Sequence, residues 1–192
     1  MKIEILNHKH FQTSQWSGGR TTQLYIFPPT ATYAARNFEL RLSTAKVEVA
    51  ASNFTVLPGI HRKLMILEGA ITITHEGHYS KHLNPFEVDD FSGDWKTTAI
   101  STCTDFNVMT KGKQQSELYH IAIEAVNSYT LKPKAPCKKL FLYATSGTIE
   151  FQLKDENYIL ETENLMVIED FSVSSIAINN TNGCGLIVLE MY

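Results

Sequence analysis

Apolar residues recur at every second position along most of the chain, and this alternation constrains the fold more than any other feature. It is clear in segments 38–42 and 149–153, where β-branched and aromatic residues are frequent. Turn-forming residues such as Gly18-Gly19, Pro58-Gly59 and Glu76-Gly77 interrupt the alternation roughly every ten residues. Many short, evenly spaced strands predict an all-β sandwich or closed barrel, because these arrangements bury apolar faces and hide strand edges.

The same pattern occurs twice along the chain. Leu67–Ile73 resembles Thr145–Phe151, and roughly twenty residues later Glu87–Phe91 resembles Val167–Phe171. We interpret this as two related β-barrel halves, with two unrelated meanders that share similar turns as the alternative. The predicted domains are residues 1–112 and residues 113–192, with the boundary in the polar stretch Lys111–Glu117.

The charge balance and the apolar runs exclude several classes of protein. Seventeen basic and twenty acidic side chains give a formal net charge of −3, so we expect no nucleic-acid partner. No stretch approaches the roughly 18 apolar residues of a membrane helix, and the N-terminus lacks the apolar core of a signal peptide. We therefore expect a cytoplasmic protein without a membrane partner. Cys103, Cys137 and Cys184 are widely spaced, which predicts small core residues rather than disulfides or a thiolate zinc site.

Two arginines within predicted strands, Arg41 and Arg62, are the strongest candidates for binding an anion. By the two-residue period, Arg41 shares a face with Ser43, and Arg62 shares a face with apolar residues. If these faces point inward, each guanidinium group needs a carboxylate or a bound anion, because an unpaired buried charge is very costly. The alternative is that both arginines lie on solvated faces or pair with Glu39 and Glu68.

Three further segments place polar groups where they could meet a ligand. The turn that follows Trp16 could hold a ligand oxygen on its main-chain amides, or it is an ordinary tight turn. Asp105 and Asn107 share one strand face, so a carboxylate and an amide could project together into a cavity. Asp94 either joins them or caps a turn, and Asn107 could instead satisfy a backbone group.

The histidines do not predict a metal site. His75, His78 and His82 surround a predicted hairpin tip, where we expect them to be exposed and without a rigid set of ligands. His61 could carry a proton near neutral pH. The sequence contains no nucleophile elbow, phosphate loop or dinucleotide fingerprint, so no catalysis by a known motif is predicted.

Six motifs occur in a specific order and spacing, and they are Trp16–Thr21, Arg41–Ala45, Phe54–Arg62, Leu67–Gly69, Pro85-Phe86 with Phe91–Asp94, and Asp105–Met109. Together they resemble the HutD/Ves family, whose members are often encoded with histidine-utilisation enzymes or described as stress-induced. The resemblance covers residues 16–109 and thins after residue 115. It implies an all-β, two-domain cupin-like (bicupin) fold of β-barrel or jelly-roll type.

The resemblance also implies a pocket in the N-terminal half. No metal and no cofactor are expected, because the usual cupin metal motif needs a His-x-His and a glutamate, whereas Leu57–Arg62 offers one histidine and an arginine. The implied ligand-binding residues, with Trp16 and Phe54 as apolar walls, are Trp16, Arg41, Phe54, Arg62, Asp94, Asp105 and Asn107.

Three functions remain open on these grounds. The first is a metal-free binding protein for a small anionic carboxylate metabolite, which modulates histidine utilisation or a stress response. The alternative is a metal-independent isomerase, epimerase or hydrolase with His61 or Asp105 as general base. The third is an interaction protein of the stress response. A homodimer is compatible with each of them.

Overall fold

The computed structural model describes residues 1–112, 114–125, 128–134, 136–153, 156–179 and 182–192. The regular elements of these residues are β-strands, which confirms the predicted all-β class. The chain divides into two compact units. We call Phe11–Gln114 the central unit, and Met1–His10 together with Gln115–Tyr192 the terminal unit. No helix in the described ranges is long and apolar enough to cross a membrane.

The strands are numbered in chain order. Strand β1 (Lys2–Leu6) lies in the terminal unit. The central unit contains β2 (Gln12–Trp16), β3 (Gly19–Phe27), β4 (Leu40–Val47), β5 (Ala51–Asn53), β6 (Ile60–Gly69), β7 (Ile71–His75), β8 (Tyr79–Leu83), β9 (Val88–Ser92), β10 (Thr97–Ile100) and β11 (Cys103–Lys111). The terminal unit resumes with β12 (Ser116–Ile123), β13 (Ser128–Leu131), β14 (Lys139–Ser146), β15 (Ile149–Leu153), β16 (Glu156–Leu160), β17 (Leu165–Glu169), β18 (Ile176–Asn179) and β19 (Cys184–Met191).

Both units have the same antiparallel topology. In the central unit one sheet has the order β2-β3-β4-β11-β6-β9 and the other has the order β5-β10-β7-β8. In the terminal unit the orders are β1-β17-β14-β19-β12 and β13-β18-β15-β16. Strands β4 to β11 therefore correspond one by one to β12 to β19. This correspondence confirms the predicted repeat at the level of strand topology.

Each unit buries its own apolar core between its two sheets. In the central unit, Leu64 and Ile66 of β6 pack with Ile71 and Ile73 of β7 and with Phe91 of β9. The terminal unit has an equivalent core that draws residues from each of the strands β12 to β19. The three cysteines are buried and free, as the sequence predicts.

The division between the units differs from the predicted domains at the N-terminus. Strand β1 pairs with β17, with Lys2 opposite Glu169 and Leu6 opposite Leu165, so residues 1–10 belong to the terminal unit. Alternation in the sequence predicts a strand at this position but carries no information about its partner. The later division falls between Gln114 and Gln115 rather than after residue 112, and residue 113 lies outside the described residues.

The end of β6 provides a test of the turn geometry. Gly69 has a φ of 78°, and a Cβ atom there would lie 2.7 Å from the carbonyl oxygen of Thr102. Gly77 has a φ of 77°, but a Cβ atom there would meet nothing within 4 Å. We expect Gly69→Ala to lower the free energy of unfolding by about 2–3 kcal/mol, because backbone strain and a clash add together, and Gly77→Ala by about 1 kcal/mol. Urea denaturation measures both, and equal losses would contradict the clash.

Candidate functional site

A cavity of about 310 Å³ lies on the core-facing side of the six-stranded sheet in the central unit. Its floor consists of alternate residues of β4 and β11, together with Arg62 of the adjacent strand β6. The remaining walls come from the β2–β3 hairpin, from Tyr33, and from β5 with the segment that follows it. The volume lies near the lower end of the roughly 300–1,000 Å³ that is typical of small-molecule sites. The cavity can therefore hold a small metabolite.

The strand register brings two arginines together at one end of this floor. Met109 of β11 lies opposite Arg41 of β4 on one side and opposite Arg62 of β6 on the other. Both arginines line the cavity, and they are 6% and 4% exposed respectively. The strand faces that carry Arg41 and Arg62 point inward, which is the first of the two arrangements that the sequence predicts. The alternative pairing with Glu39 and Glu68 is wrong, since neither arginine takes part in an ion pair among the described residues.

Arg41 is held in place by neutral groups. Its Nε donates to Oε1 of Gln23 at 2.9 Å, and its Nη1 donates to the hydroxyl of Ser43 at 3.1 Å. The ring of Tyr33 covers its guanidinium group at 4.5 Å. Burial lowers the pKa of Arg41 from its ordinary value. These contacts orient the positive charge but leave it without a counterion in the described part of the chain.

Arg62 has aromatic neighbours instead of hydrogen-bond acceptors. Its guanidinium carbon lies 4.8 Å from the ring centre of Phe54 and 5.3 Å from that of Phe91. Its Nε is buried and has no hydrogen-bond partner. Burial lowers the pKa of Arg62 to about 10, so the group still carries its charge at neutral pH. Cation–π contacts compensate only part of the cost of burying such a charge.

Asp105 and Asn107 supply the other polar groups of the floor. They lie two residues apart on β11, line the cavity, and are 4% and 7% exposed. Oδ1 of Asp105 and Oδ1 of Asn107 are both buried without a hydrogen-bond donor. Burial raises the pKa of Asp105 to about 7, against the opposing effect of the Arg62 charge. Two cations thus face one carboxyl group that is partly protonated at neutral pH, and the cavity favours an anion.

The raised pKa of Asp105 makes stability depend on pH in a defined direction. The folded protein holds the Asp105 proton up to about pH 7, whereas the unfolded chain releases it near the ordinary value of 3.8. Between these values the folded state binds more protons, so the Asp105 contribution to the free energy of unfolding falls as the pH rises from 3.8 to about 7. Denaturant titrations across this range measure the fall.

The matched variants are Asp105→Asn, which removes the titrating group, and Asp94→Asn, which removes an exposed carboxylate outside the cavity. We expect Asp105→Asn to lack this fall and Asp94→Asn to retain it. Parallel pH profiles for wild type and Asp105→Asn would contradict the assignment.

Six of the seven predicted ligand-binding residues line the cavity, and Asp94 does not. Trp16 is 40% exposed and lies at the margin, and Phe54 covers Arg62. The carboxylate of Asp94 accepts from the hydroxyl of Ser92 at 2.8 Å and from the backbone N–H of Gly59 at 3.4 Å. The turn-capping interpretation of Asp94 is therefore the correct one, because Ser92 of the same turn and Gly59 of the turn before β6 hold its carboxylate after β9.

His61 is also placed away from the cavity. It precedes Arg62 on the same strand, so the two side chains point to opposite faces of the sheet. His61 forms an ion pair with Asp90 and is not among the lining residues. Asp105 is thus the one of the two proposed bases that reaches the cavity.

The sequence interpretation missed several contacts that position the arginines. Tyr33 lies between β3 and β4, where no alternation indicates which way a side chain points. Gln23 and Ser43 lie opposite each other on β3 and β4, and both accept hydrogen bonds that orient Arg41. The two-residue period places Ser43 beside Arg41, so that contact could have been predicted, whereas the partner strand of Gln23 could not.

The donor set does not fit a metal ion. A guanidinium group has no lone pair to offer, which leaves on the floor the Asp105 carboxyl, the Asn107 amide and the Ser43 hydroxyl, which already accepts from Arg41. Across the described ranges, no three His, Cys, Asp or Glu side chains come together in a way that could hold a metal.

The predicted exposure of the hairpin histidines is wrong for His75. This side chain is 1% exposed, and its ring nitrogens lie 2.8 Å from Oδ2 of Asp89 and 2.8 Å from the hydroxyl of Thr97. His78 and His82 are exposed, as expected. His75 is buried because alternate side chains of a strand point to the same side. In β7 these are Ile71, Ile73 and His75, and all three point inward.

Comparisons with known proteins agree with this architecture. The chain matches the family model described as HutD over residues 8–185. No curated protein shows significant sequence similarity to it.

Solved structures resemble the chain along nearly its whole length. A conserved protein of unknown function from Pseudomonas aeruginosa PAO1 is 18% identical with a TM-score of 0.84, and the alignment covers 100% of this chain and 99% of that one. HutD from Pseudomonas fluorescens SBW25 is 17% identical with a TM-score of 0.71, covering 100% of both chains. The bacterial pirin YhhW from Escherichia coli, in complex with nickel(II), is 10% identical with a TM-score of 0.73, covering 98% of both. At these identities the likeness shows the fold, which confirms the predicted two-domain cupin-like architecture.

Proposed function

The chain belongs to the HutD family, and from this premise we propose that its central unit binds a small carboxylate metabolite without the help of a metal ion. The observation that carries the proposal is the state of Arg62. Its guanidinium group is 4% exposed, its Nε has no hydrogen-bond partner, and no ion pair among the described residues includes it. The acidic group that acts on this cation, Asp105, is only partly ionised at neutral pH and forms no ion pair with it, so an anion from outside would compensate the buried charge.

A carboxylate fits the cavity better than a compact inorganic anion. The planar guanidinium fork matches the two oxygens of a carboxylate, and charge-assisted hydrogen bonds of this kind are among the strongest in proteins. Tyr33 and Phe54 each cover one of the two guanidinium groups, so the cavity combines charge with apolar walls. The carbon skeleton of an organic acid can pack against these rings, which an inorganic ion cannot do.

The proposed role in the cell follows from the family. A binding protein without catalytic turnover can report the level of its ligand, and family membership favours an acid that belongs to histidine utilisation. In this role the terminal unit supports the fold, since the cavity is built wholly from central-unit residues.

The proposal is tested by a thermal-shift series with small carboxylates against chloride at matched ionic strength. We expect at least one carboxylate to raise the melting temperature of the wild type. Arg62→Ala should lose this response, and Arg20→Ala, which removes an exposed arginine of the same unit, should retain it. A carboxylate response that survives in Arg62→Ala would show that the anion site is elsewhere, and no carboxylate response in the wild type would overturn the proposal.

A second candidate function is metal-independent acid–base catalysis, and it is favoured by the position of Asp105. A carboxyl group with a pKa of about 7 is suited to accept a proton at neutral pH, and Arg62 lies close enough to stabilise developing negative charge. The test is exchange of carbon-bound hydrogen for solvent deuterium in a bound carboxylate, followed by mass spectrometry. Exchange that disappears in Asp105→Asn would replace the binding-protein proposal by an enzymatic one.

A further inference from the structure

The cavity floor contains two buried acceptors that a simple carboxylate cannot satisfy. Oδ1 of Asp105 and Oδ1 of Asn107 have no hydrogen-bond donor, although both residues are more than nine-tenths buried. A carboxylate has acceptors alone, so its binding to the arginines would leave both oxygens unpaired. Buried acceptors without protein donors are rare and costly, and in a cavity their donors come from solvent or from a bound ligand.

The cations and the acceptors occupy different positions along strand β11. The two arginines flank Met109, and the guanidinium group of Arg41 extends toward Ser43, which lies opposite Asn107. Asp105 lies a further two residues along the same strand face, which corresponds to about 7 Å in extended backbone. The acceptors therefore follow the cations along one strand face, with Asn107 nearer to Arg41 and Asp105 further along, within electrostatic reach of Arg62.

We propose that the ligand is a carboxylic acid whose other end carries a neutral N–H or O–H donor, and that Asp105 and Asn107 select for that donor. This inference rests on the proposed function, because it takes Arg62 and Arg41 as the carboxylate site. A neutral donor is specified because a second cation would be repelled by the two guanidinium groups. Primary amides and hydroxyl groups meet this requirement, whereas unsubstituted fatty acids, ketoacids and inorganic anions do not.

The test compares acids that differ in the donor alone. Succinamate and levulinate have the same size and the same carbonyl group, but the terminal NH₂ of the first is a methyl group in the second. Glutaramate and its methyl ketone analogue form a second pair that is one methylene longer. Calorimetry or ligand-observed NMR at millimolar concentrations measures the affinities. For at least one pair, we expect the amide to bind the wild type about tenfold or more tightly than the ketone.

Two variants assign this preference to the acceptors. In Asn107→Leu, which has similar side-chain size but no acceptor, we expect the ratio of amide to ketone affinity to fall toward one while the ketone still binds. Asp105→Asn should lower the ratio as well, because it replaces a carboxyl group that is ionised above about pH 7 by a neutral amide. The ratio between two ligands on one protein does not respond to a general loss of stability, so a merely structural role would leave it unchanged. Asp94→Asn is the control outside the cavity and should keep the wild-type ratio.

The outcomes separate the two proposals. If neither member of either pair binds the wild type, the proposed carboxylate function fails together with this inference. If both members bind equally and binding depends on Arg62, the carboxylate function stands and selection for a donor is overturned. If the amide is preferred and neither cavity variant changes the ratio, the assignment to Asp105 and Asn107 is overturned.

Discussion

Replacing His75 by alanine is expected to lower the free energy of unfolding by about 3–5 kcal/mol, the cost of breaking a buried pair and emptying a packed core position. His75 Nε2 lies 2.8 Å from Oδ2 of Asp89, and the two side chains are 1% and 2% exposed. The imidazole also contacts the rings of Phe91 and Trp95, with centroid distances of 4.5 and 5.3 Å. The variant therefore removes an aromatic core residue and one partner of a buried carboxylate together.

The matched control for this prediction is His78→Ala. His78 lies three residues away and stacks on the outer part of the same cluster, 3.8 Å from the Trp95 ring, but it is exposed. We expect His78→Ala to cost less than about 1 kcal/mol, as is usual for exposed positions. Urea denaturation followed by tryptophan fluorescence and by circular dichroism measures both variants. Equal losses in the two variants would show that the buried Asp89 contact contributes nothing.

The all-β class and the repeated strand pattern could be predicted from the sequence, because alternation and turn residues are local signals. The two-residue period of β4 and β11 also placed Arg41 with Ser43 and Asp105 with Asn107. Most of the cavity floor therefore follows from the alternation of side chains once one face of the sheet is known to be buried. Pairing between distant strands has no such local signal. That is why β1 was assigned to the wrong unit and why the contact between Gln23 and Arg41 was not foreseen.

The errors at Asp94 and His75 have a common physical cause. Both residues are polar and lie near turns, and sequence alone does not show whether a polar side chain at a strand end finds its partners locally or in the interior. Asp94 is held by Ser92 in its own turn and by Gly59 in the turn before β6, and it remains exposed. His75 contacts Asp89 on another strand, and the alternation of side chains along β7 places the pair inside the core.

Replacing Arg62 by methionine is expected to stabilise the ligand-free protein by about 1–4 kcal/mol and to lower carboxylate affinity by about a hundredfold. Nε of Arg62 is buried without a hydrogen-bond acceptor, and burial lowers the pKa of the side chain, so the folded protein bears a desolvation cost for this charge. Methionine has a similar length and makes favourable sulfur contacts with aromatic rings, here those of Phe54 and Phe91. When a residue is retained for binding at the expense of stability, its replacement is expected to raise the free energy of unfolding and to lower the ligand affinity.

Arg41→Met separates this effect from the general removal of a cavity charge. Arg41 donates to Gln23 and Ser43, so its replacement leaves two acceptors without their donor and should give a smaller gain in stability, or a loss. Arg20→Met, at an exposed position, should change neither stability nor affinity appreciably. The measurements are urea denaturation without ligand and calorimetry with the carboxylate that gives the largest thermal shift. If Arg62→Met destabilised the ligand-free protein by as much as Arg41→Met, the guanidinium group would be satisfied within the fold, and the case for an anion supplied from outside would fail.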